Sequence, residues 1–142
     1  MASTHLRNVP GRIAAGAFTL HAGLEKLKAD PEHAAGIHGM AAGTYPVLKD
    51  VPPERFVKGL AVGEVVLGGA LLAPFVSDGL AGAGLTAFSA ALMGLYARTP
   101  GMRKEGSVWP TPQGLGLSKD AWLLAIGAGL VVDAVVERRR GD

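Results

Sequence analysis

The chain has 142 residues, enough for one domain, and 18% of them are charged, against roughly 25% in soluble domains. It has no cysteine, which excludes disulfides, thiolate catalysis and thiolate-bound metals. The formal net charge of +2 leaves no basic footprint for nucleic acid. We therefore expect one domain, residues 1–142, with no nucleic-acid partner.

Four apolar segments follow one another along the chain, at residues 13–27, 56–77, 79–97 and 121–136. The second would extend about 33 Å as a helix, the thickness of a hydrocarbon core. The third has no charged residue and no polar face, which argues against the alternative of a soluble all-helical domain. The pattern predicts an all-α fold, a bundle of four transmembrane helices with both termini on one side.

The connections between these segments differ in length and composition. Residues 28–55 are too apolar for a free linker, and they predict a short interfacial helix at about 32–42 that begins at Asp30 or Pro31. Segments two and three are joined almost directly, which predicts an antiparallel hairpin. Residues 98–120 are rich in proline and glycine and predict a loop, with Ser118 as the N-cap of the last helix.

The second segment contains one carboxylate, Glu64, in an otherwise apolar run. A carboxylate within a membrane has a free-energy cost of a few kcal/mol, so Glu64 should face the bundle and find a partner. Depth along the helices makes His21, Lys26 and Lys58 the nearest candidates. Two interpretations remain open at this stage. Glu64 is a polar clamp between helices, or it lines a site for a proton, a quinone or another small polar group.

A second pair of charges, Arg12 and Asp133, lies at matched depth on the terminal side, and we expect a structural ion pair there. No metal site is predicted. His33 and His38 are five residues apart, which places them about 140° apart around a helix and not on one face. No phosphate-binding loop, dinucleotide fingerprint or nucleophile elbow occurs in the chain.

The chain resembles the DoxX family of small bacterial membrane proteins. The resemblance covers most of the chain and rests on short motifs and on the order of four spans with a long first connection. The motifs are R-x-x-x-G-x-F at Arg12, Gly16 and Phe18, followed by AGLEKL with Gly23 and Lys26; G-E-x-x-x-G-G-x-L-L with Glu64, Gly68, Gly69 and Leu72; and SKDAWLLAIGAGL with Lys119 and Asp120.

The resemblance implies a multi-pass protein of the bacterial plasma membrane. It implies a redox- or quinone-associated subunit of a respiratory or oxidative-stress complex, with membrane or peripheral redox subunits as partners. We expect an accessory subunit rather than an independent enzyme, with no resident cofactor except a quinone held near Glu64, His21 and Lys26. A homo-oligomer is compatible with this expectation. The alternatives are a small transporter or proton-conducting bundle, and a purely structural subunit of a larger membrane complex.

Overall fold

A computed structural model describes residues 4–142 and is all-helical over that range. Its long helices, in chain order, are α1 (Val9–Leu27), α2 (Pro31–Thr44), α3 (Pro53–Leu72), α4 (Asp78–Arg98) and α6 (Asp120–Gly141). The short helix α5 (Leu115–Ser118), a single turn, precedes α6. Short 3-10 helices, Leu6–Asn8 and Pro46–Asp50, precede α1 and follow α2. The described residues thus contain five α-helices longer than one turn.

Helices α1 and α3 form one closely packed antiparallel pair. The contact depends on glycines. A Cβ at Gly68 would lie 2.5 Å from the backbone nitrogen of Leu20, and one at Gly23 would lie 2.8 Å from the carbonyl oxygen of Ala61. Both distances are shorter than side chains tolerate, so the two backbones touch where no side chain intervenes. Close approach of this kind is how small residues favour helix association in lipid.

Helices α4 and α6 form the second antiparallel pair, and glycines again allow their backbones to approach closely. A Cβ at Gly82 would lie 2.6 Å from the Leu130 Cβ, and one at Gly127 would lie 2.8 Å from the backbone nitrogen of Thr86. A small core of Ala15, Leu71, Ala81, Leu85 and Leu130 joins the two pairs. The bundle is therefore two tight pairs with looser packing between them. That arrangement leaves room for a cavity.

Both described ends of the chain meet at one end of the bundle, where the Arg7 guanidinium lies 2.7 Å from Glu137 Oε1. The opposite end is covered by a cap of α2, the second 3-10 helix and the loop 99–114. Hydrogen bonds hold this cap in place. The Tyr45 hydroxyl donates to the Ala91 carbonyl at 2.7 Å, and the Tyr96 hydroxyl donates to the Val108 carbonyl.

Several sequence expectations about these elements are confirmed. Helix α2 occupies the predicted position, and its N-cap is Asp30, whose side chain accepts from the His33 N–H at 2.7 Å. The loop after α4 is largely irregular. Helix α4 follows α3 after a short turn, as expected, but the predicted hairpin is not a closely packed pair, because α3 packs mainly on α1 and α4 on α6.

Two expectations about helix ends are wrong. Helix α3 ends at Leu72 and not at Ser77, because Pro74 cannot continue the helical hydrogen bonding. Ser118 does not cap α6. It is the last residue of α5, and its hydroxyl donates back to the Leu115 carbonyl at 2.7 Å.

Among the described helices, α4 alone is long and apolar enough to cross a membrane by length and composition. The other three helices of the two pairs carry more charged residues, among them Glu64 in the interior of α3 and Asp133 in the interior of α6. One such helix is weak evidence for membrane insertion, so the sequence expectation of four spans stays a prediction.

Candidate ligand-binding cavity

A cavity of about 480 Å³ lies between the two helix pairs, beneath the cap. Apolar and aromatic side chains form most of its wall. They are Phe18, Ala22, Ile37, Met40, Ala41, Leu48, Phe56, Leu60, Phe88, Ala91, Leu92, Leu95, Leu117 and Leu123. Five polar residues complete the lining, namely Thr19, Lys26, Tyr45, Glu64 and Asp120. The volume lies within the range of about 300–1,000 Å³ that small-molecule sites occupy.

Glu64 points into the bundle, where it is 2% exposed and is paired with Lys26 of α1. The Lys26 Nζ lies 3.0 Å from one carboxylate oxygen and 3.1 Å from the other. This ion pair joins α1 to α3 on the wall of the cavity. Lys26 is therefore the partner of Glu64 among the three candidates that depth along the helices suggested, while the binding of a quinone there stays a prediction.

Lys58, the second proposed partner of Glu64, does not line the cavity. His21, the third proposed partner, is not part of this site either. Its side chain is exposed on α1 and does not line the cavity. The reason is geometric. Lys26 lies five residues after His21, and five residues turn an α-helix by about 140°. The two side chains therefore cannot both face α3, although their depths are similar.

Asp120 lines this cavity, although sequence reasoning did not assign it to the site. It begins α6, just before the apolar segment 121–136, and its carboxylate faces the Lys26–Glu64 pair across the cavity. Burial raises the pKa of Asp120 to about 6, an effect that Lys26 opposes and Glu64 reinforces. Among the described residues its carboxylate has no hydrogen-bond donor. The Lys26–Glu64 ion pair and the Asp120 carboxylate thus line one largely apolar cavity.

Thr19 adds an unsatisfied polar atom to the same wall. Its side chain is 2% exposed, and its hydroxyl has no hydrogen-bond partner among the described residues. Thr19 and Lys26 are seven residues apart, about two helical turns, so they lie on one face of α1. Buried hydroxyls normally find a partner, so an orphan hydroxyl that lines a cavity points to a ligand or water that completes it.

The second polar cluster lies at the terminal end of the bundle, and it corrects the expected pairing of Arg12 with Asp133. Arg12 is 2% exposed, and its guanidinium lies 2.8 Å from Asp78 Oδ1. Asp133 instead pairs with Arg7, at 2.8 Å. Depth along the helices predicted the correct end of the bundle for Arg12 and Asp133. It could not distinguish Asp78 from Asp133 as the partner of Arg12.

Asp78 is held as a carboxylate by this cluster. Its burial by itself would raise the pKa, but hydrogen bonds from the His5 backbone N–H, the Asn8 amide, Arg12 and the His5 ring outweigh burial and hold the pKa at about 2. His5, Asp78 and Asp133 bring three potential metal-ligand atoms within 4.8 Å of one another. The carboxylate oxygens already accept from Asn8 and the two arginines, so this cluster is a hydrogen-bonded junction of α1, α4 and α6.

Comparison of the chain with protein-family models, with curated proteins and with solved structures finds no match.

Proposed function

We propose that this chain is a four-span protein of the bacterial plasma membrane that binds a quinone in the cavity between its two helix pairs, as an accessory subunit of a redox-associated membrane complex. This proposal depends on one observation, the cavity between the helix pairs. Its walls are mostly apolar, and four polar side chains line it together, namely Thr19, Lys26, Glu64 and Asp120. The resemblance to the DoxX family supports the redox association. No residue of the cavity suggests a reaction of its own, which favours an accessory role.

The distribution of polarity supports the membrane location. Between the helix ends, the exposed positions of α3, α4 and α6 over residues 59–72, 80–97 and 121–136 are Gly, Ala, Val, Leu or Trp only. On α1, residues 13–24 expose one polar side chain, His21. The polar residues Arg12, Glu64 and Ser89 are instead buried. A soluble domain rarely exposes a continuous apolar surface of this extent, whereas a bilayer would cover it.

Cysteine accessibility tests the membrane arrangement, because the chain contains no cysteine of its own. Single variants Ser107→Cys, in the loop after α4, and Arg138→Cys, at the end of α6, are labelled in sealed inverted and right-side-out vesicles with a reagent that does not cross membranes. We expect each site to react in only one vesicle type, and the two sites in opposite types. Reaction of both sites from the same face would contradict four spans.

The shape and chemistry of the cavity support a quinone as the ligand. A quinone has an apolar body with carbonyl oxygens that accept hydrogen bonds. The cavity matches this with aromatic and aliphatic walls, among them Phe18, Phe56 and Phe88, and with polar groups that include the Lys26 ammonium. Quinones also dissolve in the hydrocarbon core, so a membrane-embedded cavity has access to them.

Extraction of the purified protein tests this proposal. The protein is isolated from bacterial membranes in mild detergent, and bound quinone is measured by chromatography after solvent extraction. We expect quinone to remain bound to the protein, and its molar ratio to the protein to stay constant during washing with detergent. Quinone at the level of an unrelated four-helix membrane protein prepared in parallel would overturn the proposal.

A second candidate function is a small proton-conducting bundle or transporter, favoured by the presence of Lys26, Glu64 and Asp120 in one chamber. Reconstituted vesicles with an imposed pH gradient separate the two functions. Proton flux above that of empty vesicles, lost in Glu64→Gln, would favour conduction. Bound quinone without such flux would favour the accessory redox subunit.

A further inference from the structure

Two polar side chains on the cavity wall have no hydrogen-bond partner among the residues that the structure describes. The Thr19 hydroxyl is buried without a hydrogen bond, and the Asp120 carboxylate accepts none within the described part of the chain. The nearby Lys26 ammonium, in contrast, is already paired with both oxygens of Glu64. The cavity therefore contains one satisfied ion pair and two side chains that a bound molecule could satisfy.

We propose that Asp120 is a ligand-binding residue that acts as a neutral acid, donating a hydrogen bond to a carbonyl oxygen of the bound molecule, with Thr19 as a second polar contact. This inference rests on the proposed function. It names the residues that would hold the quinone head group, and it states that Asp120 must be protonated for binding. An ionised carboxylate has no proton to donate and would repel the oxygen lone pairs of a carbonyl, so only the acid form suits this ligand.

The charges around Asp120 agree with that protonation state. The titratable groups that line the cavity with it are Lys26 of α1, Tyr45 before the second 3-10 helix, and Glu64 of α3, while α2 and α4 contribute only apolar side chains. Because the Lys26 ammonium is already paired with Glu64, its charge does not fully stabilise an ionised Asp120 as well. The pKa of Asp120, raised to about 6 by burial, places the change of charge in an accessible pH range.

Binding of a short-tailed ubiquinone analogue to the detergent-solubilised protein, measured by equilibrium dialysis from pH 5 to pH 7, tests this inference. The neutral fraction of Asp120 falls from about nine-tenths to about one-tenth over this range. Apparent affinity scales with the competent fraction, so we expect affinity to fall about tenfold. The analogue itself does not titrate there, so the change must come from the protein.

Variants assign the effect to the residue. Asp120→Asn retains a donor without a charge, and should bind the analogue at both pH values with no pH dependence. Asp120→Leu should bind weakly at both. Thr19→Val should weaken binding by several-fold, while Thr19→Ser should retain it. Thermal unfolding of each variant verifies that it is folded.

The outcomes separate this inference from the proposed function. Failure of the unmodified protein to bind the analogue at any pH would contradict the quinone proposal itself. Binding that is equally tight at pH 5 and pH 7, or a pH dependence that persists in Asp120→Asn, would overturn the role of Asp120 while leaving the quinone site in place.

Discussion

The Arg12 guanidinium of α1 donates to the Asp78 carboxylate at 2.8 Å, and both side chains are 2% exposed. The same guanidinium donates to the carbonyl oxygens of Leu71 and Val76 at 2.8 Å, and to those of Ala70 and Ala73 at 2.7 and 3.0 Å. Five hydrogen bonds thus satisfy the free carbonyls where α3 ends and bind that end to the start of α4. Arg12 closes the terminal end of the bundle.

Loss of Arg12 should therefore be strongly destabilising. Arg12→Met leaves the Asp78 carboxylate buried without its cation, and removal of one partner of a buried ion pair lowers the free energy of unfolding by about 3–5 kcal/mol. Arg12→Lys retains the charge but has only three donors on one nitrogen, so we expect an intermediate loss. Equilibrium unfolding in mixed micelles measures both.

Arg7→Met provides the matched control for that experiment. Arg7 is also paired with a carboxylate, Asp133, but its side chain is 52% exposed. Exposed pairs contribute about 0–1 kcal/mol, so this variant should unfold nearly as the unmodified protein does. Equal losses for Arg7→Met and Arg12→Met would contradict the distinction drawn between the two clusters.

Asp78 and Asp120 should give opposite pH dependences of stability. The folded pKa of Asp78, about 2, is below its ordinary 3.8, so its stabilisation is present above about pH 4 and is lost as the pH falls towards 2. The folded pKa of Asp120, about 6, is above its ordinary 3.8, so its contribution is present below about pH 4 and is lost as the pH rises through 6.

The melting temperature should consequently rise between pH 7 and pH 5 and fall below pH 4. Asp120→Asn should remove the rise, and Asp78→Asn should remove much of the fall and lower stability near neutral pH. Circular dichroism melts in detergent measure both effects. If both single variants keep the full pH profile of the unmodified protein, the titrating groups are other carboxylates.

The adjacent glycines Gly68 and Gly69 allow a test of the α1–α3 contact, because only Gly68 lies against α1. Gly68→Ala places a methyl group 2.5 Å from the Leu20 backbone, so the helices must separate, and overpacking of this kind lowers the free energy of unfolding by about 1–3 kcal/mol. Gly69→Ala meets no atom within 4 Å and should be neutral or slightly stabilising, since alanine favours helix. Equal effects in unfolding titrations would argue against this packing.

The Lys26–Glu64 pair should show strong coupling in a double-mutant cycle. Lys26→Met leaves a buried carboxylate without its cation and should destabilise the protein more than Glu64→Gln, whose amide retains hydrogen bonding. The double variant Lys26→Met with Glu64→Leu removes both charges and should recover much of the loss. Additive effects would show that the two side chains act independently.

Much of the helical organisation could be predicted from the sequence. Three of the four apolar segments lie within α1, α4 and α6, and the second covers most of α3 but continues past its end at Leu72. Prolines with a capping Asp30 predicted α2. These features are local, because helix propensity, capping and proline chemistry act within a few residues. The end of α3 was missed because the apolar run continues past Pro74, beyond the point where helical hydrogen bonding stops.

The site was predictable only in part, because depth along a helix is easier to infer than direction around it. Glu64 and Lys26 were brought together correctly, whereas His21 shares their depth but faces outward. One signal for Thr19 was present, since it lies seven residues before Lys26 on the same helical face. Asp120 had no such signal, because only the packing of α6 across the bundle brings its carboxylate to the cavity.

Filling the cavity between the two helix pairs tests whether a quinone binds there. Ala22→Leu, on the cavity wall of α1, and the control Ala14→Leu, exposed on the same helix, are compared for binding of a short-tailed ubiquinone analogue at pH 5. We predict that Ala22→Leu weakens binding at least tenfold while Ala14→Leu retains it. Unchanged affinity in a folded Ala22→Leu protein would contradict the account.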